Sequence, residues 1–334
     1  MKKISIIIPC YNVEQYIDRC MKSLISQTIG IDQLELILVN DASPDNTLNK
    51  LIEYEKQYPD SILVINLEQN IKQGGARNVG LKYASCDYVG FVDSDDWVEP
   101  TMYEKLYDKM IEHDCDYVTC YTKRVSGSSP MGRTGKDDMV KVIQSIEDRK
   151  QLMLDGGTGG LPTRLIKRSL IHDNNIMFPE NLAYEDNYWG AMLDLYVNKY
   201  CVIEEYLYNY FINPNSTTLA KDALHHYDRM VIEVMKLEEY KARGVFEQFF
   251  PEIEYKFIIL FYVNTVYMFL TRFTEIPFDA LSLLQETLHE QFPYYASNPY
   301  IEAYCNPVEK AFVQTANLQL LPEDWVLIKE SCQS

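Results

Sequence analysis

The chain has 334 residues, with 47% hydrophobic and 24% charged side chains and 14 each of Gly and Pro. That composition excludes wholesale disorder, collagen-like repeats and low-complexity sequence, and the length suffices for one large domain or two small ones. Lys and Arg number 31 against 49 Asp and Glu, a formal net charge of -18, so the surface repels nucleic acid and is no polybasic membrane binder.

The first 120 or so residues alternate strand and helix signals. The apolar run from Ile4 to Pro9 reads as a strand and is too brief for a secretory signal. Ile17, Cys20, Met21, Leu24 and Ile25 recur with helical period. Leu34 to Val39 is the next strand, and Ser43-Pro44-Asp45 reads as the cap and first turn of a helix reaching Gln57. Ile62 to Asn66 follows as a strand, Gly74-Gly75 opens a helix to about Ala84, and Tyr88 to Val92 is a fourth strand. Glu99-Pro100 opens a helix to about His113, and Tyr117 to Tyr121 is a fifth strand. Strands linked by helices predict a mostly parallel α/β sheet covered on both faces, with ligands at the carboxyl ends of the strands.

Residues 125–145 show no period and read as a loop. Helices and short strands resume to about 215, including a strand from Tyr206 to Ile212, and the pattern is helical from Ala220 onward. The longest apolar run, Phe257 to Leu270, is about fourteen residues against the roughly twenty needed to span a bilayer, so no transmembrane segment is expected. The aromatic-rich stretch around it, Phe249, Phe250, Phe257, Phe261, Tyr262, Tyr267 and Phe269, suits a helical core. The eight Cys form no C-x-x-C pair and read as small buried hydrophobes in a reducing compartment.

Four clusters carry chemistry. Asp93-Ser94-Asp95-Asp96 follows a buried strand, and crowded carboxylates are relieved by a hard cation, although many such runs are solvated loops. Asp41-Ala42-Ser43-Pro44-Asp45 places an acid at a strand end, where it serves either a nucleotide or a plain turn. Gln73-Gly74-Gly75-Ala76-Arg77-Asn78 combines glycines that permit close approach with an Arg suited to phosphate or to ordering a loop, and it is neither a P-loop nor a dinucleotide fingerprint. Glu185-Asp186 precedes an apolar helix, as a general base or as an acidic first turn.

Order and spacing join these clusters. The segments from Ile8 to Thr28, from Leu36 to Thr47, from Gln73 to Leu81 and from Asp87 to Trp97 resemble the family 2 glycosyltransferases of GT-A fold, and Tyr184-Glu185-Asp186 with Asn215-Ser216 extends the likeness to about residue 216. The resemblance implies a GT-A domain over 1–218, with a nucleotide-sugar half at 1–120 and an acceptor half at 121–218, followed by a helical region at 219–334. It implies an inverting enzyme that moves a sugar from a nucleotide-sugar, a UDP-sugar, to a hydroxyl of a glycan or lipid-linked glycan in cell-surface polysaccharide synthesis. Pro9, Tyr11 and Glu14 then form the first nucleotide loop, Asp41 reads uracil or ribose, and Arg77 lines the pocket and steadies the acidic loop. Asp93 and Asp95, with Ser94 between them, are the D-x-D motif for Mn2+ or Mg2+, Asp186 is the base, and Glu185 lies beside it. The alternatives are an inactive nucleotide or sugar binder, or a sugar nucleotidyltransferase. A cytoplasmic protein is implied, soluble or peripheral at the inner face of the plasma membrane, with the C-terminal helices as candidates for membrane contact or a homodimer. Ala42 stands where the family commonly has Gly and Pro44 where it has Thr, Leu161 to Arg164 replaces a common Trp, and Phe211-Ile212-Asn213 lacks a common Arg. Gly156 to Gly160 is a candidate lid or a simple turn.

Overall fold

A computed structural model describes residues 2–125, 136–156, 159–212 and 220–333. The Asn215-Ser216 element, the 218/219 boundary and the centre of the Gly156 to Gly160 stretch lie outside the described residues.

By compactness the chain divides into two units. The first comprises Met1–Arg149, Asp155–Asn181 and Glu185–Asn213. Its elements run β1 (Ile4–Cys10), α1 (Ile17–Ile25), β2 (Leu34–Asn40), α2 (Thr47–Gln57), β3 (Ile62–Asn66), α3 (Lys72–Tyr83), β4 (Tyr88–Phe91), β5 (Trp97–Val98), α4 (Met102–His113), β6 (Tyr117–Val125) and β7 (Met139–Val142), then, after α5 (Ile146–Asp155), β8 (Arg164–Lys167), α6 (Arg168–Asp173), α7 (Glu185–Asp194) and β9 (Lys199–Phe211). The sheet order is β3-β2-β1-β4-β8-β6-β9-β5, with β7 also on β9.

The amino-terminal part follows its apolar runs. Every residue of β1 is buried, as a parallel strand covered on both faces requires. The buried Ser5 is accommodated because its hydroxyl donates to Glu35 and accepts from the Cys86 N–H. In-register parallel pairing from Ile4 with Leu34 to Cys10 with Asn40, and from Ile4 with Tyr88 to Ile7 with Phe91, brings the strand ends to one edge. α1 buries Ile17, Cys20, Met21 and Leu24, the stripe its period predicts.

The second half departs from the predicted parallel sheet. β8 pairs antiparallel with β4 and β6, and β9 pairs antiparallel with β5 and β7, so only the β1–β2, β2–β3, β1–β4 and β6–β9 ladders are parallel among the described residues. β9 starts at Lys199, well before the predicted Tyr206, and β7 lies within the predicted loop. β9 carries Glu204 and Glu205 in its middle, where the register with β6 shifts, which breaks the apolar alternation that marks a strand.

The second unit comprises Lys150–Leu154, Leu182–Tyr184 and Pro214–Ser334. It is built from α8 (Asp228–Ala242), α9 (Phe250–Phe257), α10 (Asn264–Arg272), α11 (Phe278–Gln291), α12 (Pro299–Tyr304), α13 (Pro307–Thr315) and α14 (Pro322–Gln333), with a π-helical turn at Ile258–Val263 joining α9 to α10. The resulting 23-residue helix Phe250–Arg272 is long and apolar enough by length and composition to cross a bilayer, yet 72% of its apolar window is buried inside the protein. Phe257, Phe261, Tyr262 and Phe269 form a core, with Phe257 and Phe261 stacked at 4.3 Å, while Tyr267 is exposed. Seven of the eight Cys are buried and none is bridged among the described residues.

Candidate active site

The loops after β1, β2, β3 and β4 gather at the carboxyl edge of the parallel strands, where ligands bind in such sheets. Pro9 is buried within β1, and Tyr11 just beyond it is exposed. The loops after β1 and β2 are laced together. The Glu14 carboxylate accepts from the Asn46 N–H at 2.8 Å, and Asp45 accepts from the N–H groups of Glu14 and Thr47. This corrects the predicted helix start. α2 begins at Thr47 rather than at Pro44, because Asp45 accepts from the Glu14 N–H of the neighbouring loop and the predicted cap Ser43 donates instead to the Cys10 carbonyl. Ala42 holds a left-handed φ of 53°, a conformation that glycine adopts without a steric penalty.

Asp41, at the end of β2, is 2% exposed. One oxygen accepts from the Ile71 N–H at 2.8 Å, which ties the strand end to the loop entering α3. Burial pushes this carboxyl above its ordinary range, and the N–H groups of Ile71 and Lys72 pull it partly back.

Arg77 is the junction of the site. It projects from α3, is 3% exposed, and donates to Asp93 at 2.8 Å and to Glu185 at 2.5 Å. The pull of these two acids outweighs burial and holds the guanidinium charged, whereas burial raises the Glu185 carboxyl and Arg77 opposes that rise. The preceding glycines serve packing. A Cβ on Gly74 would lie 2.3 Å from the Pro179 carbonyl oxygen and 3.0 Å from the Glu185 side chain. Asn78 completes the contact by exchanging two 2.9 Å hydrogen bonds with the Phe178 backbone. The Gln73 to Asn78 motif therefore packs α3 against Phe178, Pro179 and Glu185.

The acidic run splits in two. Asp93 and Asp95 stay partly exposed. Asp96 is buried, accepts from the Tyr208 hydroxyl at 2.6 Å and from the Phe211 N–H at 2.7 Å, and is pushed up to about 8, by burial first and the Asp93 charge second. Ser94 is buried between the partly exposed Asp93 and Asp95. Asp186 is exposed on the first turn of α7, with one oxygen accepting from the Asn187 N–H. Arg77, Asp93 and Glu185 are thus in direct contact, while Asp41 and Glu14 bond to neighbouring loops.

Among the described residues no three His, Cys, Asp or Glu side chains are grouped to hold a metal ion. Mg2+ or Mn2+ bound with a diphosphate does not need such a cage, since one or two carboxylates suffice and phosphate and water complete the shell. Two partly exposed carboxylates at a strand end fit that donor set. The sequence assigned no role to Arg19 or Tyr208, and it marked Asn78 only as part of the glycine motif and Phe211 only as part of a departure from the family pattern. Arg19 donates to the Asp95 carbonyl at 2.7 Å, and the Tyr208 hydroxyl accepts from the Asp93 N–H at 3.2 Å. No local pattern marks either residue, because each meets a partner remote in the chain.

The family model of Glycosyl transferase family 2 matches residues 5–173. The uncharacterized glycosyltransferase EpsJ of Bacillus subtilis is 31% identical over 219 residues, 64% of this chain and 62% of its own length. The uncharacterized glycosyltransferase YibD of Escherichia coli is 30% identical over 274 residues, 76% of this chain and 77% of its own. The chain thus spans under two thirds of EpsJ. Staphylococcus aureus TarS 1-349, solved in complex with UDP-GlcNAc, superposes with a TM-score of 0.61 at 23% identity, covering 94% of this chain and 92% of that one, a likeness of fold.

Proposed function

The chain belongs to glycosyl transferase family 2, and from that membership we propose that it transfers a sugar from a UDP-sugar to a hydroxyl of a glycan or lipid-linked glycan, with inversion and with Mn2+ or Mg2+. The observation that carries the reading is the Arg77 bridge, which ties the acidic turn after β4 to the start of α7. The UDP-GlcNAc in the TarS complex supports a uridine nucleotide as donor.

The chain's residues then divide the work. Pro9, Tyr11 and Glu14 shape the first loop, and the exposed Tyr11 ring flanks the base. Asp41, with acceptor capacity beyond its bond to Ile71, takes a uracil or ribose donor. Asp93 and Asp95, with Ser94 holding the turn between them, would hold the divalent cation, which neutralises the charge of the departing diphosphate when bound. Asp186 takes the proton of the acceptor hydroxyl as its oxygen attacks the anomeric carbon. The new C–O bond forms as the bond to the diphosphate breaks, and that electron pair leaves with UDP. Glu185, neutralised by Arg77, fixes the first turn of α7 and does not compete for the proton.

The test is UDP release from UDP-glucose and UDP-GlcNAc with a panel of glycan acceptors. Asp186→Asn keeps UDP affinity and loses transfer by about a hundredfold or more. Transfer surviving in Asp186→Asn removes that residue from the base role.

A further inference from the structure

The acidic turn is held by residues to which the resemblance assigns no role, although Arg19 and Trp97 lie within the segments that carry it. On one side stands β9. The Tyr208 hydroxyl accepts from the Asp93 N–H and donates to Asp96, and the Phe211 N–H donates to the other Asp96 oxygen. On the other side stands α1, whose Arg19 donates to the Asp95 carbonyl at 2.7 Å. The Arg19 guanidinium lies between two rings, 4.0 Å from the centre of Trp97 and 4.5 Å from that of Phe211. Trp97 follows the acidic run directly, and Phe211 is the last residue of β9.

We propose that Arg19 is a positioning residue for cation binding: clamped between Trp97 and Phe211, it fixes the Asp95 carbonyl and so presets the Asp93 and Asp95 carboxylates for a divalent cation that arrives with a nucleoside diphosphate. The proposal rests on the function given above. A turn ordered beforehand spares the ordering cost that a loose one meets on binding. The planar guanidinium stacks on rings and donates through a rigid fork, which the compact Lys ammonium does not reproduce. Charge and position predict opposite signs. A guanidinium acting only as a positive charge beside the acids repels an incoming cation, and its neutral replacement tightens cation binding. A guanidinium that sets the turn has the reverse effect.

The experiment is a calorimetric titration of Mn2+ into the full chain, Arg19→Lys and Arg19→Met, each with excess UDP, and of UDP without metal into the same three proteins. Both variants are expected to weaken Mn2+ about tenfold or more, with metal-free UDP affinity within about twofold of the unaltered chain. Mn2+ binding that is unchanged or tighter in Arg19→Met overturns the proposal, as does an equal loss of metal-free UDP affinity, which marks general damage to the fold. Should Arg19→Met fail to fold, Arg19→Lys, which keeps the charge and stem, decides by the same criterion. An unaltered chain that binds UDP without regard to Mn2+ overturns the donor reading and this role with it. Cation-dependent binding that is insensitive to Arg19 overturns this role alone.

Discussion

Arg77 concentrates the energetics of the site in one side chain. Its guanidinium is buried between two carboxylates, one on a Glu185 side chain that is itself 6% exposed. A buried ion pair adds little net stability over an apolar pair, but removing one partner strands the other and costs roughly 3–5 kcal/mol. Arg77→Met should therefore lower unfolding stability by about that amount in urea, while Arg77→Met/Glu185→Met recovers part of the loss because no carboxylate of Glu185 remains unpaired. A cost below about 1 kcal/mol for the single change would show that water reaches Glu185 freely. At this scale the acids and Arg77 were legible, since each stands at a strand end or helix start in a recognisable order. Arg19 and Tyr208 were not, because their partners at Asp95 and Asp93 lie 76 and 115 residues away in sequence. The role of Asp96 was equally hidden, for only the buried Tyr208 hydroxyl and Phe211 N–H separate it from its two neighbours.

Among the elements, α3 and α7 set two glycines against each other. Ala exceeds Gly in helix propensity by about 1 kcal/mol, so helix preference alone favours Ala at Gly74 and at Gly190. Their surroundings differ. Gly74 would press a Cβ to 2.3 Å from the Pro179 carbonyl oxygen, whereas nothing lies within 4 Å of a Cβ on Gly190. Overpacking typically costs about 1–3 kcal/mol, enough to reverse the preference. Gly74→Ala should thus lower the urea midpoint and Gly190→Ala should raise it. A gain in both would mean that Phe178 and Pro179 move aside at little cost. The strands β1 to β4 and helices α1 to α4 were readable because apolar runs and helical stripes coincide with burial. The beginning of α2 was misread because Asp45, a good capping residue, is engaged by Glu14 of another loop. The second half, which mixes antiparallel ladders with the parallel β6–β9 ladder, was legible only at the end of β9, because β8 is four residues long and β9 carries acids in its middle.

Over the whole molecule, the sequence announces a nucleotide-type sheet followed by helices, and the structure contains both. Compactness groups residues differently from simple order along the chain. The short segments 150–154 and 182–184 belong with the C-terminal helices. The reasons are local: Leu154 packs with Tyr255 and Cys305, and the Tyr184 hydroxyl meets the buried His226 ring at 2.8 Å. Tyr184 also takes a left-handed φ of 64° immediately before Glu185, a strained backbone that the sequence does not advertise. The function proposed above places a uridine nucleotide at the carboxyl edge of β1, β2 and β4, together with a cation on Asp93 and Asp95. The measurement that tests it most directly is calorimetric titration of UDP, GDP and dTDP into the folded chain, with and without Mn2+. UDP is expected to bind best of the three, and to bind much more tightly with Mn2+ than without it. Binding that ignores the cation, a preference for GDP or dTDP, or no binding of any of the three would contradict it.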